Sequence, residues 1–255
     1  MKKIQTNWIV FSGVTSSGKT TIADLLIRYG YKAPIEVARV YINELQAEMT
    51  PQQLGAFVQT YEFQHQIARR GLQFEQGLDP SDIVIIDCGL IGSFVYFQLR
   101  DHIIQEGHYE PLQEHLDSHR YRGVFLFEKL PCDADPCRFS TAETLREKAH
   151  DLIKEVNLHQ GYTSIDVPIL PVEERLKFVL QKMITMVPTL MYGYGLKNPS
   201  GADEFTLQPI NKSAPKMLSY GLKNYSGLYS SLFFGNGSNC VDQKYNARSL
   251  DTLSM

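Results

Sequence analysis

A chain of 255 residues with 43% hydrophobic and 21% charged side chains has the composition of a folded globular protein, which excludes a fibrous repeat or a chain disordered throughout. Its formal net charge of −3 argues against a general polyanion-binding surface, so nucleic acid is not an expected partner. No apolar run approaches the roughly 18 residues of a membrane span, and Cys88, Cys132, Cys137 and Cys240 are too few and too unevenly spaced for a disulfide framework, which predicts a cytoplasmic protein.

Residues 3–12 end in the apolar run Trp8-Ile9-Val10-Phe11 and stop at a glycine-rich turn, predicting the first strand. Ile22, Leu25, Leu26 and Tyr29 then recur at helical spacing up to Gly30, predicting a helix over 19–29. A second extended segment is expected over 31–36. Thr50-Pro51 opens a glutamine-rich stretch over 51–76 with Leu54, Phe57, Tyr61, His65 and Ala68 on one face, read as one long amphipathic helix. Within 82–87, Ile83-Val84-Ile85-Ile86 is the uninterrupted run expected of a strand buried on both faces of a parallel sheet. A helix over 92–106, a strand over 123–128, a charged helix over 141–159 with a capping-box pattern at its start and a short strand over 164–167 follow. The last helix, 171–186, carries Leu176, Val179, Leu180 and Met183 on its apolar face. This alternation implies an α/β fold, a doubly wound parallel five-stranded sheet with right-handed crossovers.

From residue 188 the texture changes to glycine, serine, asparagine and tyrosine without a sustained period, with six basic residues against four acidic ones. Tyr-Gly-Leu-Lys-Asn occurs at 194–198 and again at 220–224, either a duplicated recognition element or an incidental feature of an irregular tail. The expected organisation is a domain over 1–187 and a C-terminal extension over 188–255, the latter a candidate binding segment for a protein partner.

Gly13-Val14-Thr15-Ser16-Ser17-Gly18-Lys19-Thr20 matches Gly-x-x-x-x-Gly-Lys-Ser/Thr in full, between an apolar strand and an amphipathic helix. At this spacing glycines let the backbone curl so that successive N–H groups meet phosphate oxygens at the positive end of a helix. The nucleotide-binding set is thus Gly13, Val14, Thr15, Ser16, Ser17, Gly18, Lys19, Thr20 and Thr21. Lys19 is expected to reach the β- and γ-phosphates of ATP, and the Thr20 hydroxyl to coordinate Mg²⁺. A guanine-specific Asn-Lys-x-Asp is not found: Asn211-Lys212-Ser213-Ala214 fails at its fourth position, which favours ATP over GTP. Asp87 closes its strand where an acid holds the metal through water, although Asp87-Cys88-Gly89 also reads as ordinary turn chemistry. Glu36 and Arg39 are either a proton acceptor and an anion clamp for a substrate or a surface helical pair at i, i+3. Arg138 is either a lid guanidinium or an exposed loop arginine paired with Asp133 or Asp135. Among the histidines, His115 and His119 sit at i, i+4 in a polar stretch with no third ligand and are read as solvated.

Taken together, residues 13–21, Glu36-Val37-Ala38-Arg39, Asp87-Cys88-Gly89-Leu90, residues 121–127, 161–168 and Pro171-Val172-Glu173-Glu174-Arg175 resemble the AAA-like ATPase domains of the P-loop kinase group that includes the bacterial nicotinamide riboside kinase domain. The resemblance covers about 1–187 and implies a kinase-like P-loop NTPase. By it Lys19 and Thr20 serve phosphates and metal, Asp87 is the Walker-B-like acid, Arg138 is the lid arginine, and Glu36 and Arg39 face the acceptor. Cys88 stands where that group commonly has arginine, so a contact made there is missing. The function implied is transfer of the γ-phosphoryl of ATP, with Mg²⁺, to a small nucleoside-like or other metabolite acceptor; the alternative is a regulatory nucleotide switch whose tail binds a protein.

Overall fold

The structure, a computed structural model, describes residues 3–28, 31–32, 36–131 and 143–187, all within the first of the two units, Met1–Ala214 and Pro215–Met255, into which the chain divides. Cys132, Cys137, Arg138 and the whole of 188–255 with its repeat lie outside the described residues.

Among the described residues the central sheet is four-stranded and parallel, in the order β3 (Val84–Asp87), β2 (Trp8–Ser12), β5 (Gly123–Phe127), β6 (Ile165–Val167). Of the expected strand over 31–36, residues 33–35 lie outside the described residues, and Lys32 makes one parallel bridge to Val84 on the outer side of β3. Trp8, Ile9, Val10 and Phe11 are each at most 1% exposed, which is why that run carries no polar alternation. Successive side chains alternate between the two faces. Trp8 and Val10 join one core cluster with Ala68 and Leu72 of α4 (Tyr61–Gln76), Leu90, Ile91 and Phe94 of α5 (Gly89–Leu99), and Ile153 of α7 (Glu143–His159). Ile9 and Phe11 join the other with Ile22 and Leu26 of α1 (Lys19–Arg28) and Leu176, Val179 and Met183 of α8 (Val172–Met186). Helices on both faces make the sheet doubly wound, as expected.

Several elements depart from the sequence expectation. The long helix over 51–76 is two helices, α3 (Pro51–Phe57) and α4. The Thr50 hydroxyl caps α3, and the Thr60 hydroxyl restarts the chain as α4 by accepting the Phe63 N–H at 3.2 Å. The helix expected over 92–106 starts earlier, at Gly89, and stops at Leu99, after which Asp101 takes a positive φ of 52°. Two helices, α2 (Val37–Gln46) and α6 (Tyr109–Ser118), fall outside the sequence expectation, and the strand expected over 3–12 divides into β1 (Ile4–Gln5) and β2, β1 pairing with the unexpected β4 (His119–Arg120) in a separate ribbon. Tyr41 and Leu45 of α2, Leu54 of α3 and Phe63 of α4 form a third apolar cluster. Among the described residues no helix is long and apolar enough to cross a membrane.

Candidate nucleotide site

Strand β2 delivers the chain into a loop whose backbone is dictated by its glycines. Gly13 has φ 140° and Gly18 φ 84°, with Ser16 between them at 62°. A Cβ at Gly13 would lie 2.8 Å from the Phe127 carbonyl oxygen, so only glycine passes beneath β5 at this point. Lys19 is the first residue of α1, and its ammonium donates to the carbonyls of Gly13 at 2.7 Å and Val14 at 2.9 Å and to the Ser17 hydroxyl at 3.3 Å. One positive charge is therefore folded over the loop at the positive end of a helix, the arrangement an anion requires.

Beside this loop lie the acids. The Thr20 hydroxyl donates to Glu36 Oε1 at 2.6 Å, and Glu36 Oε2 pairs with Arg39 Nε at 2.6 Å. Glu36 and Arg39 thus form the expected i, i+3 pair at the start of α2, and its carboxylate also accepts from Thr20 at the head of α1. Asp87 ends β3 directly beside Phe11 of β2. Burial pushes its carboxyl up from the ordinary value, with Lys19 pulling it down, Glu36 pushing it up and Arg39 pulling it down, so the four charges share one field. Cys88 follows in a left-handed conformation, φ 58°, and Gly89 repeats it at 56°, turning the chain into α5. Burial pushes the Cys88 thiol up to about 12, which disfavours the reactive thiolate at neutral pH.

Three functional-looking features escaped the sequence reading. Arg146 of α7 and Arg175 of α8, 3% and 5% exposed, reach the carbonyls of Thr15 and Ser17 within the loop, each at 3.3 Å. Glu75, 1% exposed, accepts from the Tyr121 hydroxyl at 2.8 Å and from the Leu90 N–H at 3.0 Å, and lies 3.2 Å from His115 Nε2. His115 is therefore not solvated. It is 6% exposed and stacks on Trp8, because the polar stretch around it is one face of a helix, α6, that turns inward. His119, half-buried, stacks on the same indole. Nothing local in the sequence marks these side chains as inward-facing.

Thr20, Asp87 and Glu36 supply hard oxygen donors, the kind Mg²⁺ takes alongside water and phosphate. Among the described residues no group of three or more His, Cys, Asp and Glu is placed to cage a metal by itself. The expected ligand pair of one hydroxyl and one carboxylate fits an ion shared with a nucleotide rather than a dedicated metal centre.

A family model described as an AAA domain matches residues 8–175. No curated protein matches. Among solved structures the chain is similar to the NadR protein in complex with NR, with a TM-score of 0.52 and 16% identity over 77% of this chain and 54% of that one. The chain thus spans about half the length of that protein, and likeness at such identity speaks for the fold alone. The deoxyadenosine kinase from M. mycoides with products dCMP and a flexible dCDP bound matches more distantly, with a TM-score of 0.47 and 13% identity over 70% of this chain and 99% of that one.

Proposed function

The chain belongs to the AAA domain family and is a P-loop NTPase of kinase-like fold, and from that premise we propose that it binds ATP with Mg²⁺ at residues 13–21 and transfers the γ-phosphoryl to a small, nucleoside-like acceptor beside Glu36 and Arg39. The observation that carries the reading is the 2.6 Å hydrogen bond from Thr20 to Glu36, because it ties a carboxylate to the P-loop where the end of a triphosphate would lie.

Each residue then has a role set by its surroundings. Lys19 brings its charge to the β- and γ-phosphates, with the loop amides around it. Thr20, whose hydroxyl proton is committed to Glu36, would offer a bound Mg²⁺ its oxygen, and Asp87 would help hold that ion, directly or through water. Mg²⁺, when bound, neutralises charge on the phosphate oxygens and so eases attack. Glu36 accepts the proton of the attacking hydroxyl while the acceptor oxygen bonds to the γ-phosphorus and the bond to ADP breaks. Arg39, bridged to the same carboxylate, holds Glu36 aimed. Catalysis of this kind is positioning and charge neutralisation, without a covalent intermediate on the protein. Arg138 as lid arginine and a protein-binding role for 188–255 are further parts of this proposal, resting on the resemblance and on composition.

The test is acceptor-dependent ADP release across a panel of nucleosides and other hydroxyl metabolites, run beside Lys19→Ala. The expected result is turnover that requires one acceptor class and falls by about a hundredfold or more in Lys19→Ala. Slow ATP turnover indifferent to every acceptor would replace the kinase with an ATPase, and activity surviving in Lys19→Ala would remove the site altogether.

A further inference from the structure

Two buried guanidinium groups grip the phosphate loop from helices that pack on opposite faces of the sheet. Arg146 on α7 donates from Nε to the Thr15 carbonyl at 3.3 Å and from Nη2 to the Leu130 carbonyl at 2.9 Å. Arg175 on α8 donates from Nη1 to the Ser17 carbonyl at 3.3 Å and from Nη2 to the Leu170 carbonyl at 2.9 Å. Each arginine thus ties one loop carbonyl to the segment leaving a neighbouring strand, β5 for Leu130 and β6 for Leu170.

The consequence follows from peptide geometry. In a trans peptide the carbonyl of one residue and the N–H of the next point in opposite directions, and the described chain contains no cis bond. Drawing the Thr15 carbonyl to Arg146 therefore turns the Ser16 N–H away from that arginine, and drawing the Ser17 carbonyl to Arg175 does the same for the Gly18 N–H. The backbone this demands is left-handed at both residues, φ 62° at Ser16 and 84° at Gly18. For a serine that conformation is costly and persists only where surrounding groups hold it. The same approach explains the second glycine, since a Cβ at Gly18 would stand 2.5 Å from Arg175 Nη1.

The charge balance points the same way. Among the described residues no carboxylate pairs with Arg175, which is 5% exposed and has carbonyl partners only. A buried cation without a counter-charge is costly to the fold, and a polyphosphate in the loop supplies the missing anion.

We propose that Arg146 and Arg175 are positioning residues for the nucleotide: they set the 15–16 and 17–18 peptide planes so that the Ser16 and Gly18 amides face the polyphosphate. This rests on the reading of residues 13–20 as the triphosphate site. Neither arginine needs to touch the ligand; each acts through a carbonyl.

The experiment is titration calorimetry of the full-length chain with ATP and Mg²⁺, with thermal unfolding of the ligand-free chain in parallel. Arg146→Met and Arg175→Met are each expected to bind ATP about ten- to a hundredfold more weakly per folded molecule. Arg175→Lys, which keeps the charge but not the two-carbonyl fork, should recover part of that loss. Affinities within about twofold of wild type in both methionine variants, whatever their melting temperatures, overturn the inference. Should those variants fail to fold, amide exchange of the wild-type chain decides. Ser16 and Gly18 N–H groups that slow when ATP binds support it, and unchanged exchange at both with ATP bound overturns it. A wild-type chain that binds no ATP instead removes the nucleotide site proposed above, a result distinct from either arginine outcome.

Discussion

Asp87 carries a charge that its surroundings make expensive. Its pKa is raised from 3.8, with burial the largest cause, so the folded chain holds the proton more tightly than the unfolded one. Its contribution to stability is therefore fullest below pH 3.8 and is lost as pH rises through the folded pKa, which leaves a net cost at neutral pH that Lys19 and Arg39 only partly offset. Asp87→Asn is expected to raise the melting temperature of the ligand-free chain near neutral pH, by an amount that shrinks toward pH 4, while weakening binding of ATP with Mg²⁺. A variant that melts below wild type at neutral pH and binds the nucleotide as tightly would show that the carboxylate is not the strained metal ligand proposed above. The neighbouring thiol offers no alternative chemistry, because burial and the Asp87 charge both push Cys88 toward its protonated form.

The proposed acceptor side of the site depends on an element boundary that the apolar periodicity concealed. Leu54, Phe57, Tyr61, His65 and Ala68 were legible as one helical face, yet the chain breaks after Val58 and restarts at Thr60. The break lets Leu54 of α3 and Phe63 of α4 close on Tyr41 and Leu45 of α2, the helix that Glu36 precedes and Arg39 belongs to. Thr60 holds the restart by accepting from Phe63 N–H and donating to the Phe57 carbonyl at 2.7 Å. Thr60→Ala is expected to cost about 1 kcal/mol, lowering the melting temperature by roughly 2–4 °C in a domain of this size. Thermal melts that coincide with wild type would assign the break to packing rather than to the cap. At α5 the same service comes from outside the helix: the Glu75 carboxylate takes the Leu90 N–H, so a buried acid from α4 anchors the turn that follows Asp87.

Three buried or partly buried histidines among the described residues make the fold sensitive to mild acid, against the opposite pull of Asp87. His65, His119 and His150 all have pKa values below the ordinary 6.5, in each case chiefly because burial disfavours the charged ring. His65 also faces His108 and Arg69, which lower it, and Glu62, which raises it; His150 faces Glu128 and Asp151, which raise it, and Lys154 and Lys129, which lower it. A folded pKa below the unfolded one means that the folded chain binds fewer protons, so the stability these rings allow is present above pH 6.5 and is lost as pH falls from there through the lower folded pKa values. Denaturant midpoints measured from pH 7.5 down to 5.5 should fall, and His65→Gln should flatten the decline; a midpoint that rises toward pH 5.5 contradicts the assignment. What was legible without coordinates was whatever is local. Gly13-x-x-x-x-Gly18-Lys19-Thr20 carries its own turn chemistry, runs such as Ile83-Val84-Ile85-Ile86 carry their own burial, and α1 and α8 show their apolar faces in their spacing. Local signals therefore determined the phosphate loop, the alternating α/β plan and the position of Asp87 at a strand end. The strand order β3-β2-β5-β6, the docking of Glu36 on Thr20, and the guanidinium groups of Arg146 and Arg175 behind the loop were decided only in three dimensions. The reason is physical: a carbonyl that accepts from an arginine 131 or 158 residues away leaves no periodicity and no motif, since that partner is chosen by how helices from both faces pack against one sheet.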